Sequence, residues 1–148
     1  MNSIWACEVG GLTASRIVGV KYRTLDNWLR TGLLPETATP AQGKGTKRGF
    51  GIIDLVRARV VARLKVEGVS VRTIRAVLAA LGERWGVNDP LLQGGRLVVA
   101  GSELFWAFDD ATLLNVLTGQ LAARPLIILP MGEIISETCV RLLESCAA

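Results

Sequence analysis

The sequence predicts an α+β protein, with a mostly helical first half and a small β-β-α-β-α second half. Three observations predict it. Apolar residues recur at three- and four-residue spacing through the first 82 positions. Short β-type runs follow after residue 95. Between them, Asn88-Asp89-Pro90 and Gly94-Gly95 break any helix over residues 83–95. The expected organisation is therefore a domain over 1–82, a linker over 83–95 and a small domain over 96–148. With 50% hydrophobic and 20% charged residues in 148, the chain can fill a real core.

The elements follow in order. Thr13 is placed to cap a first helix over Ala14–Val18, with Leu12 and Ile17 at the two staple positions. Gly19 stops it. A second helix over Tyr22–Thr31 sets Leu25, Trp28 and Leu29 on one face. Arg23, Thr24, Asp26, Asn27 and Arg30 take the other, and Gly32 ends the helix. Two short helices across a glycine turn read as a helix-turn-helix. The stretch Pro35–Gly51 has too much proline and glycine for a helix and carries Lys44, Lys47 and Arg48 against one acid, Glu36. It reads as a basic, two-stranded wing whose backbone can approach phosphates.

A helix over Ile52–Glu67 has Ile53, Val56, Val60 and Leu64 in one stripe, and Gly68 breaks it. Ser70 caps the next, whose stripe is Ile74, Val77, Leu78 and Leu81 before Gly82. In the second half, Leu97–Ala100 and Glu103–Phe108 form a hairpin about Gly101-Ser102. Asp109 or Asp110 caps a helix over Ala111–Leu121. Leu126–Leu129 is a third strand and Met131–Leu143 a final helix. Phe105 and Trp106 point to opposite faces of their strand, as core and as a dimer or partner surface.

The net charge of +4 hides a division. Residues 1–82 hold 13 basic and 5 acidic side chains, +8, whereas residues 83–148 hold 4 and 8, −4. One half is suited to a polyanion and the other is not. Histidine is absent, which excludes His-based triads, HExxH sites and His-ligated zinc. Cys7, Cys139 and Cys146 form no CxxC pair, and a sparse odd set suits a reducing compartment. Cys139 and Cys146 read as core or tail thiols. No metal or cofactor is expected. The N-terminus lacks a basic segment followed by a long apolar run, and no apolar stretch reaches about 18 residues. The expectation is a cytoplasmic protein with no membrane contact and no enzymatic activity.

The ordered strings GVKYRTLDNWLRTGLLP, RGFGIIDLVRARVVARLKVEGVS and VRTIRAVLAAL resemble the winged-helix DNA-binding domain of MerR-type regulators over residues 12–81. The matching features are Gly19-Val20, Thr24-Leu25, Trp28, Gly32-Leu33-Leu34-Pro35, Arg48-Gly49-Phe50, Asp54-Leu55 and Gly68-Val69-Ser70. The resemblance implies that the second helix enters the major groove of double-stranded DNA, which nominates Arg23, Thr24, Asn27 and Arg30, with Tyr22 at the edge. It implies backbone contacts from the wing, through Lys44, Lys47 and Arg48, and from the following helix pair, through Arg57 and Arg72.

Two positions depart from the family pattern. Asp26 stands where a basic residue is common; it repels phosphate but could accept from cytosine N4. Lys21 stands at the usual Ser or Thr cap of the second helix. The glycines and Pro90 also occupy the place of the family's long coiled-coil helix, so its dimerisation and sensing modes do not carry over. The second half, through GSELFWAFDDATLLNVLTGQ and its β-β-α-β-α layout, resembles the small domain that accompanies such modules in some toxin–antitoxin antitoxins. The expected function is a sequence-specific transcriptional regulator acting as a homodimer. The alternatives are an autoregulating antitoxin with a small toxin partner and an excisionase-like architectural protein.

Overall fold

The computed structural model describes residues 4–35, 37, 48–82, 95–101, 103–107, 109–114 and 126–147. It is α+β, and among the described residues the strands lie in the later part of the chain. Two units form, Met1–Gly68 with Ser136–Ala148, and Val69–Ile135.

In the first unit a 3-10 turn (Ile4–Ala6) precedes α1 (Gly11–Val18), α2 (Tyr22–Arg30) and α3 (Ile52–Val66). α1 starts earlier than the sequence suggests. Its N-cap is Gly10 with no side-chain bond, so Thr13 lies inside the helix rather than capping it, and Leu12 is exposed. The helix ends at Gly19, whose φ of +85° suits a residue without Cβ and whose N–H reaches Ser15 O at 2.8 Å. The N-cap of α2 is Lys21, again without a side-chain bond. α3 is held at its start by the Gly51 N–H, which donates to Asp54 Oδ2 at 2.9 Å. Its buried side is broader than the expected stripe. Ile52, Leu55, Val56, Ala58, Val60, Val61 and Leu64 are buried, because α3 is the helix around which the unit is built, while Ile53 is half-buried.

The last helix, α5 (Met131–Ala147), runs four residues beyond the expected end and belongs to the first unit from Ser136 onward. There it is tied at three points. Arg59 of α3 donates to Glu137 Oε2 at 2.9 Å and to the buried Thr138 hydroxyl at 3.0 Å. Arg141 donates to Ile17 O at 2.9 Å, satisfying a carbonyl in the last turn of α1. Cys7 and Cys146 are joined as a disulfide with Cα atoms 6.4 Å apart. The sequence alone suggests a free core or tail thiol at Cys146. The correction has a simple cause: the N-terminal turn and the last turn of α5 meet, and nothing local in the sequence signals it. Cys139 stays free and half-buried, with desolvation pushing its thiol up.

The second unit contains α4 (Val71–Gly82) and an antiparallel sheet of β1 (Arg96–Ala100), β2 (Glu103–Ala107) and β3 (Leu126–Pro130) in the order β2-β1-β3. α4 is capped as expected, with Ser70 Oγ accepting from the Thr73 N–H at 3.3 Å, and Ile74, Val77, Leu78 and Leu81 are buried. β1 is the central strand, so Leu97, Val98, Val99 and Ala100 are all buried and no alternation is seen. Its register sets Leu97 opposite Trp106 and Leu129. Gly101, at φ +62°, turns the chain back into β2. Asp109 Oδ1 accepts from the Thr112 N–H at 2.7 Å and caps a helical start over residues 110–114. That bond holds the Asp109 carboxyl below its ordinary range. The expected continuation to Leu121 lies outside the described residues. No described helix is long and apolar enough to cross a membrane.

Candidate nucleic-acid interface

α2 has two faces because of the order of its nine residues. Leu25 and Trp28 are buried and Leu29 half-buried, which fixes the helix on the unit. Arg23, Asn27 and Arg30, spaced i, i+4, i+7, form one exposed stripe. Thr24 is half-buried beside it, and Tyr22 is 48% exposed at the first position of the helix. The helix is closed by Thr31, whose hydroxyl donates to Asn27 O at 2.9 Å, and the Leu34 N–H returns to Trp28 O at 3.1 Å.

The root of the basic loop comes to the same place. Phe50 is buried and forms a two-bond antiparallel bridge with Val9, at 2.8 and 3.0 Å. Two residues earlier, Arg48 Nη1 lies 3.2 Å from Asp26 Oδ1. The other carboxylate oxygen, Oδ2, is 2.8 Å from Arg30 Nε. Asp26 is 18% exposed and Arg48 25%, against 74% for Arg30. A cleft of about 450 Å³ lies among the start of α1, α2 and the loop root, and Gly11, Tyr22, Asp26, Leu29, Arg48 and Phe50 line it. The Tyr22 ring lies directly over Gly11, where a Cβ would stand 3.2 Å from Cδ2 and closer still to Cε2. Arg57 of α3 is half-buried on the far side of Leu29 and Phe50.

The structure thus brings together Tyr22, Arg23, Thr24, Asn27, Arg30 and Arg48, with Arg57 behind them. Lys44, Lys47 and the rest of the expected wing lie outside the described residues. Arg72 is exposed on α4 and belongs to the second unit. Sequence reasoning missed the Asp26 bracket and the Gly11–Tyr22 contact. The i, i+4 spacing of Asp26 and Arg30 was a signal for the first. Nothing local linked Asp26 to Arg48, 22 residues away. Among the described residues no group of three or more Cys, Asp or Glu side chains could hold a metal ion.

This arrangement of short helix, turn, exposed basic helix and returning loop coincides with a family match. Residues 13–81 match the family described as MerR HTH family regulatory protein. The chain carries a MerR-type helix-turn-helix domain. Over 109 residues it is also 37% identical to an uncharacterized HTH-type transcriptional regulator of Mycobacterium bovis and to those of two Mycobacterium tuberculosis strains. The aligned stretch is 74% of this chain and 47% of theirs, so the chain spans about half the length of the relatives it matches. In the MerR-type domain, α1 and α2 form the helix-turn-helix and Arg48–Phe50 the described root of the loop that follows.

Proposed function

We propose that the protein is a sequence-specific DNA-binding transcriptional regulator of MerR-like type that acts as a homodimer in the cytoplasm. Its activity in this reading is binding rather than catalysis. The observation that carries it is the exposed Arg23–Asn27–Arg30 stripe on the second helix of a MerR-type domain. Arg23, Thr24, Asn27 and Arg30 read base edges in the major groove, and Tyr22 contacts the backbone beside them. Arg48, Lys44 and Lys47 meet phosphates from the loop, with Arg57 and Arg72 as further backbone contacts. The acidic 96–148 segment serves self-association and is kept off the DNA by its charge. A two-fold dimer would set its recognition helices about 34 Å apart on successive major grooves.

A filter-binding titration against salt tests this. Each neutralised phosphate adds about 0.9 to the slope of log K against log salt. The expected slope is about 4 to 5, and Arg23→Ala with Arg48→Ala should lower it by about 2. A flat titration, or a slope unchanged in the double variant, overturns the proposal. Sedimentation of the full chain at micromolar concentration tests the dimer.

A further inference from the structure

We propose that Asp26 is a positioning residue: it locks the root of the basic loop to the recognition helix and so sets how sharply the protein discriminates between DNA sequences. This rests on the DNA-binding reading above. A carboxylate on a recognition helix is unfavourable beside phosphate if it stands alone. Here it does not stand alone. One oxygen takes Arg30, from the next turn of α2, and the other takes Arg48, from the loop root. The three groups sum to +1, so the repulsion is removed and two guanidiniums are oriented.

The two pairs differ in what they do. Asp26–Arg30 is an i, i+4 pair with a largely exposed partner and orders one side chain. Asp26–Arg48 joins two elements at the edge of a cleft of about 450 Å³. Both of its side chains are three-quarters or more buried, so salt screens it less than a surface pair. The Val9–Phe50 bridge fixes the loop root on the α1 side. The Asp26–Arg48 pair fixes it on the α2 side. With both in place, the loop root keeps one position relative to the Arg23–Asn27–Arg30 stripe. Base contacts form only where helix and backbone contacts are satisfied together, so a loosened loop costs specific binding more than non-specific binding.

The test uses the full chain and a duplex selected from a random library by the wild type. Affinity is measured on that duplex and on a scrambled one, at one salt concentration, for wild type, Asp26→Asn, Asp26→Glu, Arg48→Ala and the Asp26→Asn, Arg48→Ala double variant. Melting temperatures of all five check that each is folded. Asp26→Asn removes a negative charge, so affinity for the scrambled duplex should stay or rise. The specific-to-scrambled ratio should fall at least tenfold, and Asp26→Glu should restore most of it. In the Arg48→Ala background, Asp26→Asn should change the ratio less than twofold. A ratio within twofold of wild type for Asp26→Asn alone overturns the inference, as do losses that multiply in the double variant, which would mark Asp26 as reading a base by itself. A wild type with no DNA affinity at any salt overturns the function and this inference with it, whereas the preceding outcomes overturn the inference alone.

Discussion

Gly11→Ala is the sharpest probe of how the candidate interface is assembled. Two effects oppose each other. Alanine is a better helix residue than glycine by about 1 kcal/mol, and Gly11 opens α1, so the substitution should gain at most that. Against it, the new Cβ would sit 3.2 Å from Tyr22 Cδ2 and 3.5 Å from Cζ, with Cε2 inside contact distance. The ring must move, but Tyr22 is 48% exposed and can swing toward solvent, so the cost is its packing on α1, about 1 kcal/mol, and not that of overpacking a core. The two effects nearly cancel, and Gly11→Ala alone should change stability by less than about 1 kcal/mol. The decisive assay is a double-mutant cycle with Tyr22→Ala, read by urea denaturation. In the Tyr22→Ala background the clash is gone, so Gly11→Ala should become stabilising by up to about 1 kcal/mol. A coupling below about 0.5 kcal/mol would refute the reasoning, because it would mean that Tyr22 does not rest on Gly11.

Three further outcomes are expected. Reducing the Cys7–Cys146 bond, or Cys7→Ser, should lower stability by about 2–5 kcal/mol; equal urea midpoints with and without reductant, or three free thiols in a non-reducing titration, would count against the bond. Arg59 holds the Glu137 carboxyl below the usual glutamate range. A depressed folded value means the contribution is complete above the unfolded glutamate value of about 4.3 and is lost as pH falls through the folded one, so wild type and Glu137→Gln should differ at pH 6 and converge only once the pH is below the depressed range of the folded carboxyl. Arg141→Ala leaves Ile17 O without its 2.9 Å donor and should cost about 1–2 kcal/mol, with amide exchange at the end of α1 accelerated; unchanged exchange there would show that water replaces the guanidinium at no cost.

The sequence was most legible where the signal is local and periodic. α2, α4 and the three strands appear within one or two residues of their expected places, because caps, glycine turns and apolar spacing are written into neighbouring positions. It was less legible at the start of α1, where Gly10 and Gly11 begin the helix in place of the Thr13 cap that the sequence suggests. A tertiary contact bears on the same place: a ring from α2 occupies the space over Gly11. The same holds for the interface. Arg23, Asn27 and Arg30 could be assigned to one exposed face from a helical period alone. Asp26 could not, since its second partner is 22 residues away and arrives only because Phe50 is bridged to Val9. Cys146 is the extreme case, with its partner 139 residues distant.

These pairings change what the +8 of the first half means. Arg59 is committed to Glu137 and Thr138, and Arg63 to Glu67 at 3.4 Å. Arg30 and Arg48 share one carboxylate. Arg23 is exposed and has no ion pair among the described residues. Around α2, then, three guanidiniums and one carboxylate leave a local charge of +2. Two phosphates' worth of slope is about 1.8, well short of 4 to 5. The remainder has to come from Lys44, Lys47, Arg57 and Arg72, or from a second copy of the chain. A measured slope near 2 per chain would therefore confine DNA contact to the recognition helix and the loop root. A slope near 4 per chain that falls by about 1 for each of Lys44→Ala and Lys47→Ala would give the loop its half of the binding.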